Sequence, residues 1–270
     1  TSLIIDLSAG QIPASVTEIG DRAFSQCWAM NGDVVIPDTV TKIHTSAFYY
    51  AMKKADVGTQ YNHTEKEKAG ELTLSKNLTR IGSRAFIGDN ALVANDLTLP
   101  NGVTSIGGGA FAQCSGLTGK LDLNNVTEIE TYVNFNYGAF RETGFSEINF
   151  RNVQSIGEGA FANMPNLETL KLVSDTVTSI GMRAFEDNTA LKTVIIDCPN
   201  FVQSDTSTIF NKDSSITAFD LNWSGKINNY TFSAAAGEIT SIRIGNKVTE
   251  LGTYVFYNTA AGHSLSLIHI

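Results

Sequence analysis

The side chains able to do chemistry are few and poorly spaced for it. The 270-residue chain holds three cysteines, Cys27, Cys114 and Cys198, and four histidines, His44, His63, His263 and His269. None falls at the close Cys/His/carboxylate intervals from which metal sites are built, so no metal and no cofactor is expected. Cys198, beside Pro199, would need a paired base to act as a nucleophile, and the sequence reveals none. The run Gly107-Gly108-Gly109 invites comparison with a phosphate-cradling loop, yet no Lys-Ser/Thr pair follows it. Acidic residues are scattered rather than paired, and neither a nucleophile elbow nor a calcium loop is present. With no acid, base and nucleophile converging, the chain reads as a non-enzyme.

Composition excludes further classes. Nineteen Lys+Arg against 27 Asp+Glu give a net charge of −8, so no basic stripe exists to displace counterions from a nucleic acid. No run approaches the roughly 20 apolar residues of a spanning helix, so this segment is not expected to insert into a membrane.

The elements that would position any site come from an internal repeat. The unit Val-Thr-Xaa-Ile-Gly-Xaa-Xaa-Ala-Phe is complete at Val16 to Phe24, Val103 to Phe111 and Val177 to Phe185, and close variants lie around it. Its terminal aromatic recurs at Phe24, Phe48, Phe86, Phe111, Phe140, Phe161, Phe185, Phe210, Phe232 and Phe256, ten of the fifteen phenylalanines, with a period near 24. Alternating stretches such as Leu72-Thr-Leu74, Leu121-Asp-Leu123 and Leu170-Lys-Leu172 precede each unit and predict half-buried strands. One unit of about 24 residues cannot offset its own backbone entropy, whereas stacked units bury both faces of every layer. The Gly column (Gly20, Gly82, Gly107, Gly157, Gly181, Gly252) predicts a positive φ, with His44 and Asn228 as tolerated stand-ins. Asp205 in the Ile column and Thr206 in the Gly column predict a local departure in the repeat from Val202 to Phe210, and the last three layers should be less regular. Cys27 and Cys114 share a column three layers apart, too distant for a disulfide, and read as small buried apolar residues.

This pattern, Leu-Xaa-Leu-Pro, Val-Thr-Xaa-Ile-Gly, Ala-Phe and then Xaa-Xaa-Cys, resembles the BspA-like leucine-rich repeats of bacterial cell-surface proteins. The resemblance covers essentially the whole chain. It implies a β-rich repeat solenoid, an α/β leucine-rich-repeat right-handed superhelix of about ten repeats with a parallel strand face. It also implies a secreted or surface-displayed adhesion or interaction module, without naming a ligand.

Two insertions break the period. Residues 49–70 hold about 14 extra residues and include Tyr49, Tyr50 and Tyr61, and a shorter one at 130–138 contains Tyr132, Phe135 and Tyr137. Loops inserted into a solenoid project from it and often carry specificity, although a surface insertion is also tolerated at little cost. Trp28, Trp223 and these tyrosines are the residues able to stack on a sugar or anchor a protein. Alternation along the strands turns Asp122, Asn149, Lys171, Asp220 and Arg243 outward among six acidic and four basic residues. That mixed face fits a polar protein or glycan ligand, or a solvated surface with none. The sequence opens at Thr1, and Leu265, Ile268 and Ile270 begin another repeat before it stops. A longer native chain, or end-to-end association through an open strand ladder, is therefore expected. The two functional readings are a binding module working through the strand face and insertions, and a spacer holding other domains away from the cell surface.

Overall fold

A computed structural model describes residues 12–27, 30, 32–52, 70–132, 137–204, 208–232, 239–256 and 268–269. Its nineteen strands among those residues fall into two classes. Longer strands carry the Leu-Xaa-Leu stretches: β2 (Val34–Val35), β4 (Gly70–Thr73), β6 (Leu92–Thr98), β8 (Leu117–Asp122), β10 (Gly144–Asn149), β12 (Thr169–Val173), β14 (Thr193–Cys198), β15 (Ala218–Trp223), β17 (Ser241–Ile244) and β19 (Ile268–His269). Shorter strands carry the Ile of the repeat: β1 (Glu18–Ile19), β3 (Lys42–Ile43), β5 (Arg80–Ile81), β7 (Ser105–Ile106), β9 (Glu128–Ile129), β11 (Ser155–Ile156), β13 (Ser179–Ile180), β16 (Gly225–Ile227) and β18 (Val248–Leu251). All pairings are parallel and join like positions of successive turns, as in Leu170↔Val194 and Ile43↔Ile81.

The fold is a parallel-strand β-solenoid of about eight turns of about 24 residues, rather than ten. Of the ten phenylalanine copies, those at Phe24 and Phe210 lack one of their two strands among the described residues, which leaves eight complete turns. The α/β label also needs correcting. No α-helix occurs among the described residues, because N–H groups around Ala-Phe alternate between three-residue turn bonds, such as Ala85 to Gly82 O, and bonds to the next coil, so no run of i→i−4 bonds forms. Phe48 N–H donates to Ala85 O and Phe86 N–H to Ala110 O, both at 2.7 Å.

Inside, the ten repeat phenylalanines form one spine. Successive ring centroids lie 4.9–5.7 Å apart from Phe24 to Phe256. Each stacked pair adds about 0.5–1.5 kcal/mol to its burial. Interplanar angles of 3–13° from Phe24 to Phe185 widen to 20° and 33° on either side of Phe210, so regularity does decline toward the end before recovering at Phe232 and Phe256.

The two strand ladders break at different places. The long ladder is interrupted between β10 and β12, where β11 and β13 still pair; among the described residues the short ladder runs from β1 to β13 and again from β16 to β18, and β14 and β15 pair across the interval. Among the described residues no turn loses both ladders at once. Residues 205–207, which hold Asp205 and Thr206, lie outside the described residues.

The glycine column requires a different explanation from positive φ. None of Gly20, Gly82, Gly107, Gly157, Gly181 and Gly252 has positive φ, nor do His44 and Asn228. Close approach is the constraint: a Cβ at Gly82 would lie 2.7 Å from the backbone carbon of His44, and one at Gly107 would strike the Ser83 nitrogen. Positive φ instead occupies two flanking columns. One lies two residues before Phe (Arg22, Ser46, Arg84, Gly109, Gly159, Arg183, Tyr230, Tyr254), and the other two residues after it (Gln26, Tyr50, Gly88, Gln113, Glu142, Asn163, Asp187, Lys212). These left-handed residues give the chain its two bends around each Ala-Phe and leave mainly polar or aromatic side chains on the outer corner.

Candidate functional site

The outer corner is where the two insertions meet. Tyr50, at a left-handed position, lays its ring across Gly88 of the next turn, where any side chain would collide with it. Its hydroxyl thereby reaches the turn beyond and donates to Gln113 Oε1 at 2.9 Å. Gln113 Nε2 donates to Glu142 Oε2 at 3.2 Å, and Arg141 Nε donates to Glu142 Oε1 at 3.2 Å. From the other side, the second insertion lies back over the glycine run. A Cβ at Gly108 would fall 2.6 Å from Tyr132 N, and one at Gly109 would fall 3.1 Å from Tyr137 O. The run discounted as a phosphate loop is thus the floor on which the insertion rests.

Between the insertions stands Arg84. Its guanidinium carbon lies 4.9 Å from the Tyr132 ring centroid and 5.9 Å from that of Tyr49, within cation–π range of both. Tyr49 and Tyr50 meet edge to face at 4.7 Å, as do Tyr132 and Tyr137 at 5.9 Å. All these side chains are half-buried. Arg84 Nε is buried without a hydrogen-bond partner, and no ion pair neutralises Arg84 among the described residues. Of the aromatic residues expected to carry specificity, Tyr49, Tyr50, Tyr132 and Tyr137 come together; Tyr61, Phe135 and Trp28 lie outside the described residues. Trp223 is fully buried, with Nε1 donating to Lys226 O at 3.2 Å, and so is not a surface anchor. Sequence reading missed Arg84, Gln113 and Glu142. The signal was their place two residues before or after a repeat phenylalanine.

The strand-face residues lie apart from this cluster and largely pair among themselves. Arg151 Nη2 meets Asp122 Oδ2 at 2.8 Å, and Asn149 Nδ2 donates to the same oxygen at 3.3 Å. Partial burial opposes ionisation of Asp122, but Arg151, the Asn124 N–H and the Asn149 amide together outweigh it and hold the carboxyl below its usual range. Arg243 Nη1 pairs with Asp220 Oδ2 at 2.9 Å, and Lys120 Nζ with Glu147 Oε1 at 2.8 Å. Lys171 is exposed beside Ile195 of the neighbouring strand. Exposed pairs of this kind contribute about 0–1 kcal/mol each, and they leave the face electrically quiet.

The groups able to act as nucleophiles or acids are buried in structural roles. Burial raises the Cys198 thiol to about 12 and pushes Cys114 up as well. Cys114 is buried as expected, whereas Cys27 is exposed, which corrects the expectation for that residue. Their column, three residues after Phe, also holds Asp89, Asn188 and Asp213. Asp89 Oδ1 accepts Met52 N–H at 2.8 Å, Asn188 Oδ1 accepts Met164 N–H at 2.7 Å, and Asp213 Oδ1 accepts Asn188 N–H at 2.6 Å. Among the described residues no group of three or more His, Cys, Asp or Glu could hold a metal ion, and no helix is long and apolar enough to cross a membrane.

A parallel solenoid built on Leu-Xaa-Leu strands defines the chain as a leucine-rich-repeat protein. The family described as BspA type leucine rich repeat region matches residues 4–68, 59–137 and 133–261 with six copies, and the chain belongs to it. Among solved structures, it is similar to a leucine-rich repeat protein from Bacteroides ovatus at 18% identity, covering 93% of this chain and 75% of that one with a TM-score of 0.40. A leucine-rich repeat protein from Eubacterium ventriosum is 18% identical over 90% and 73%, with a TM-score of 0.39. A leucine rich cell surface protein from Faecalibacterium prausnitzii is 20% identical over 88% and 83%, with a TM-score of 0.31. No curated protein matches the chain.

Proposed function

We propose that this chain is a non-enzymatic binding module, secreted or displayed on a bacterial surface, which recognises a protein or glycan through its outer corner. Family membership supports a surface or interaction role. The observation that carries the corner assignment is that Arg84 lies within cation–π range of both Tyr49 and Tyr132, one tyrosine from each insertion. A solenoid that only held other domains apart would have no need for two insertions to meet. Tyrosines offer large contact areas at little entropic cost, and an Arg held against rings is already ordered before a partner arrives. The strand face contributes less, since Asp122 and Asp220 are each neutralised by an arginine of the next turn.

A panel of immobilised extracellular-matrix proteins and neutral and acidic glycans tests the proposal. It is probed with the parent chain, with a Tyr49→Ala, Tyr132→Ala corner variant and with an Asp220→Ala, Arg243→Ala strand-face variant. The expected result is one or more binders lost in the corner variant and kept in the strand-face variant, with circular dichroism unchanged in both. Absence of any binder would favour the spacer reading, and loss in the strand-face variant alone would move the site.

A further inference from the structure

We infer that the Arg84 cluster recognises the carboxylate of an acidic sugar, a uronic or sialic acid unit of a glycan. The inference rests on the corner reading above and gives it a ligand class. Arg84 is half-buried beside Tyr49 and Tyr132, its Nε is buried without an acceptor, and no carboxylate offsets its charge among the described residues. A guanidinium held in that state lacks the planar, two-oxygen acceptor that its fork of donors fits. Every other cation in this cluster is compensated: Arg141 is paired with Glu142. Among the described residues the site therefore offers one uncompensated positive charge.

One such charge selects a monoanion. The net charge of −8 and the nearby Glu142 oppose a sulfated or phosphorylated polyanion, which would need several cations. The rest of the cluster matches a sugar rather than an acidic peptide. Tyr49, Tyr50, Tyr132 and Tyr137 supply ring faces against which the apolar face of a pyranose can stack. The Tyr50 hydroxyl, the Gln113 amide and the Glu142 carboxylate form a fixed row of donors and acceptors across two turns, suited to ring hydroxyls.

The test measures affinity of the whole chain for three probe pairs: an oligosaccharide of alternating glucuronate and N-acetylglucosamine and its carboxyl-reduced form, a sialylated glycan and its desialylated form, and a glutamate-rich peptide and its glutamine counterpart. The expected result is a preference of about tenfold or more for one carboxylated glycan over its neutral form, the size of one charge-assisted contact. Which glycan pair shows it separates uronic from sialic acid. Arg84→Gln should remove the preference while leaving residual neutral-sugar binding, and Arg84→Lys should restore part of it. A thermal melt of both variants confirms folding, and should Arg84→Gln fail to fold, Arg84→Lys with a several-fold weaker preference carries the test. Equal binding of carboxylated and neutral glycans overturns the inference but leaves the corner module standing, as does a preference seen only with the peptide. Carboxylate-dependent binding unaffected by Tyr49→Ala with Tyr132→Ala overturns the corner reading itself.

Discussion

Asp213 stands in a column occupied elsewhere by Ala51, Cys114, Thr143 and Met164, and it is there for its oxygens. It accepts the buried N–H of Asn188 at 2.6 Å and that of Asn211 at 3.0 Å. Burial outweighs those bonds and raises its carboxyl from 3.8 to about 8, and Asp89 is pushed the same way. A raised carboxyl binds its proton more tightly in the folded chain than in the unfolded one. Its contribution to stability is therefore full below about pH 4 and is lost as pH rises through about 8. Melting temperature should fall between pH 5 and pH 9, and Asp213→Asn should flatten that fall, because an amide cannot titrate. The same substitution should cost about 1–3 kcal/mol at pH 5, since its NH₂ cannot accept the Asn211 N–H. Thermal denaturation followed by circular dichroism checks both, and a melting temperature that rises over this range in the parent chain would contradict the assignment. In the spine, Phe111→Ala should cost about 3–5 kcal/mol in urea denaturation, having lost a ring stacked on both sides.

At the scale of the element, the glycine column sets the distance between turns. Gly107→Ala should destabilise by several kcal/mol, because its Cβ strikes backbone of the preceding turn, which has no rotamer to move. Gly20→Ala should be neutral or stabilise by about 0.5 kcal/mol, because nothing lies within 4 Å of that Cβ. Equal costs in urea denaturation would contradict close approach as the reason for the column. Sequence reading located these glycines and the phenylalanine spine, since identical residues at one period must stack. It misplaced the positive φ, since Arg, Ser, Gln, Glu, Lys and Tyr fill most of the left-handed columns and the five Gly, Asn and Asp among them are too scattered to mark a column. For the same reason Arg84 was overlooked: nothing in a single repeat announces that a residue two before Phe will face an insertion from another turn.

Across the whole molecule, stability is a sum of neighbouring turns joined by two ladders and one aromatic stack. The stack tilts around Phe210, so the turns beyond it are joined to the rest by the β14–β15 pairing and by corner bonds such as Arg183 N–H to Thr208 O at 2.7 Å, with poorer ring overlap than elsewhere. Hydrogen exchange should show the amides of these last turns opening before those from Phe86 to Phe161; a single common opening rate would contradict this. The insertions that broke the period were legible as candidates for specificity, and the structure joins four of their tyrosines. Their convergence was not legible, because it depends on glycines at 88, 108 and 109 letting side chains cross between turns.

The most direct measurement of the central claim is hydrogen exchange of the full chain alone and with each of the two carboxylated glycans, the glucuronate oligosaccharide and the sialylated glycan. The account predicts added protection at residues 49–52, 84–88 and 107–113, with strands 193–198 and 218–223 unchanged. Protection confined to those strands, or none anywhere, would contradict it.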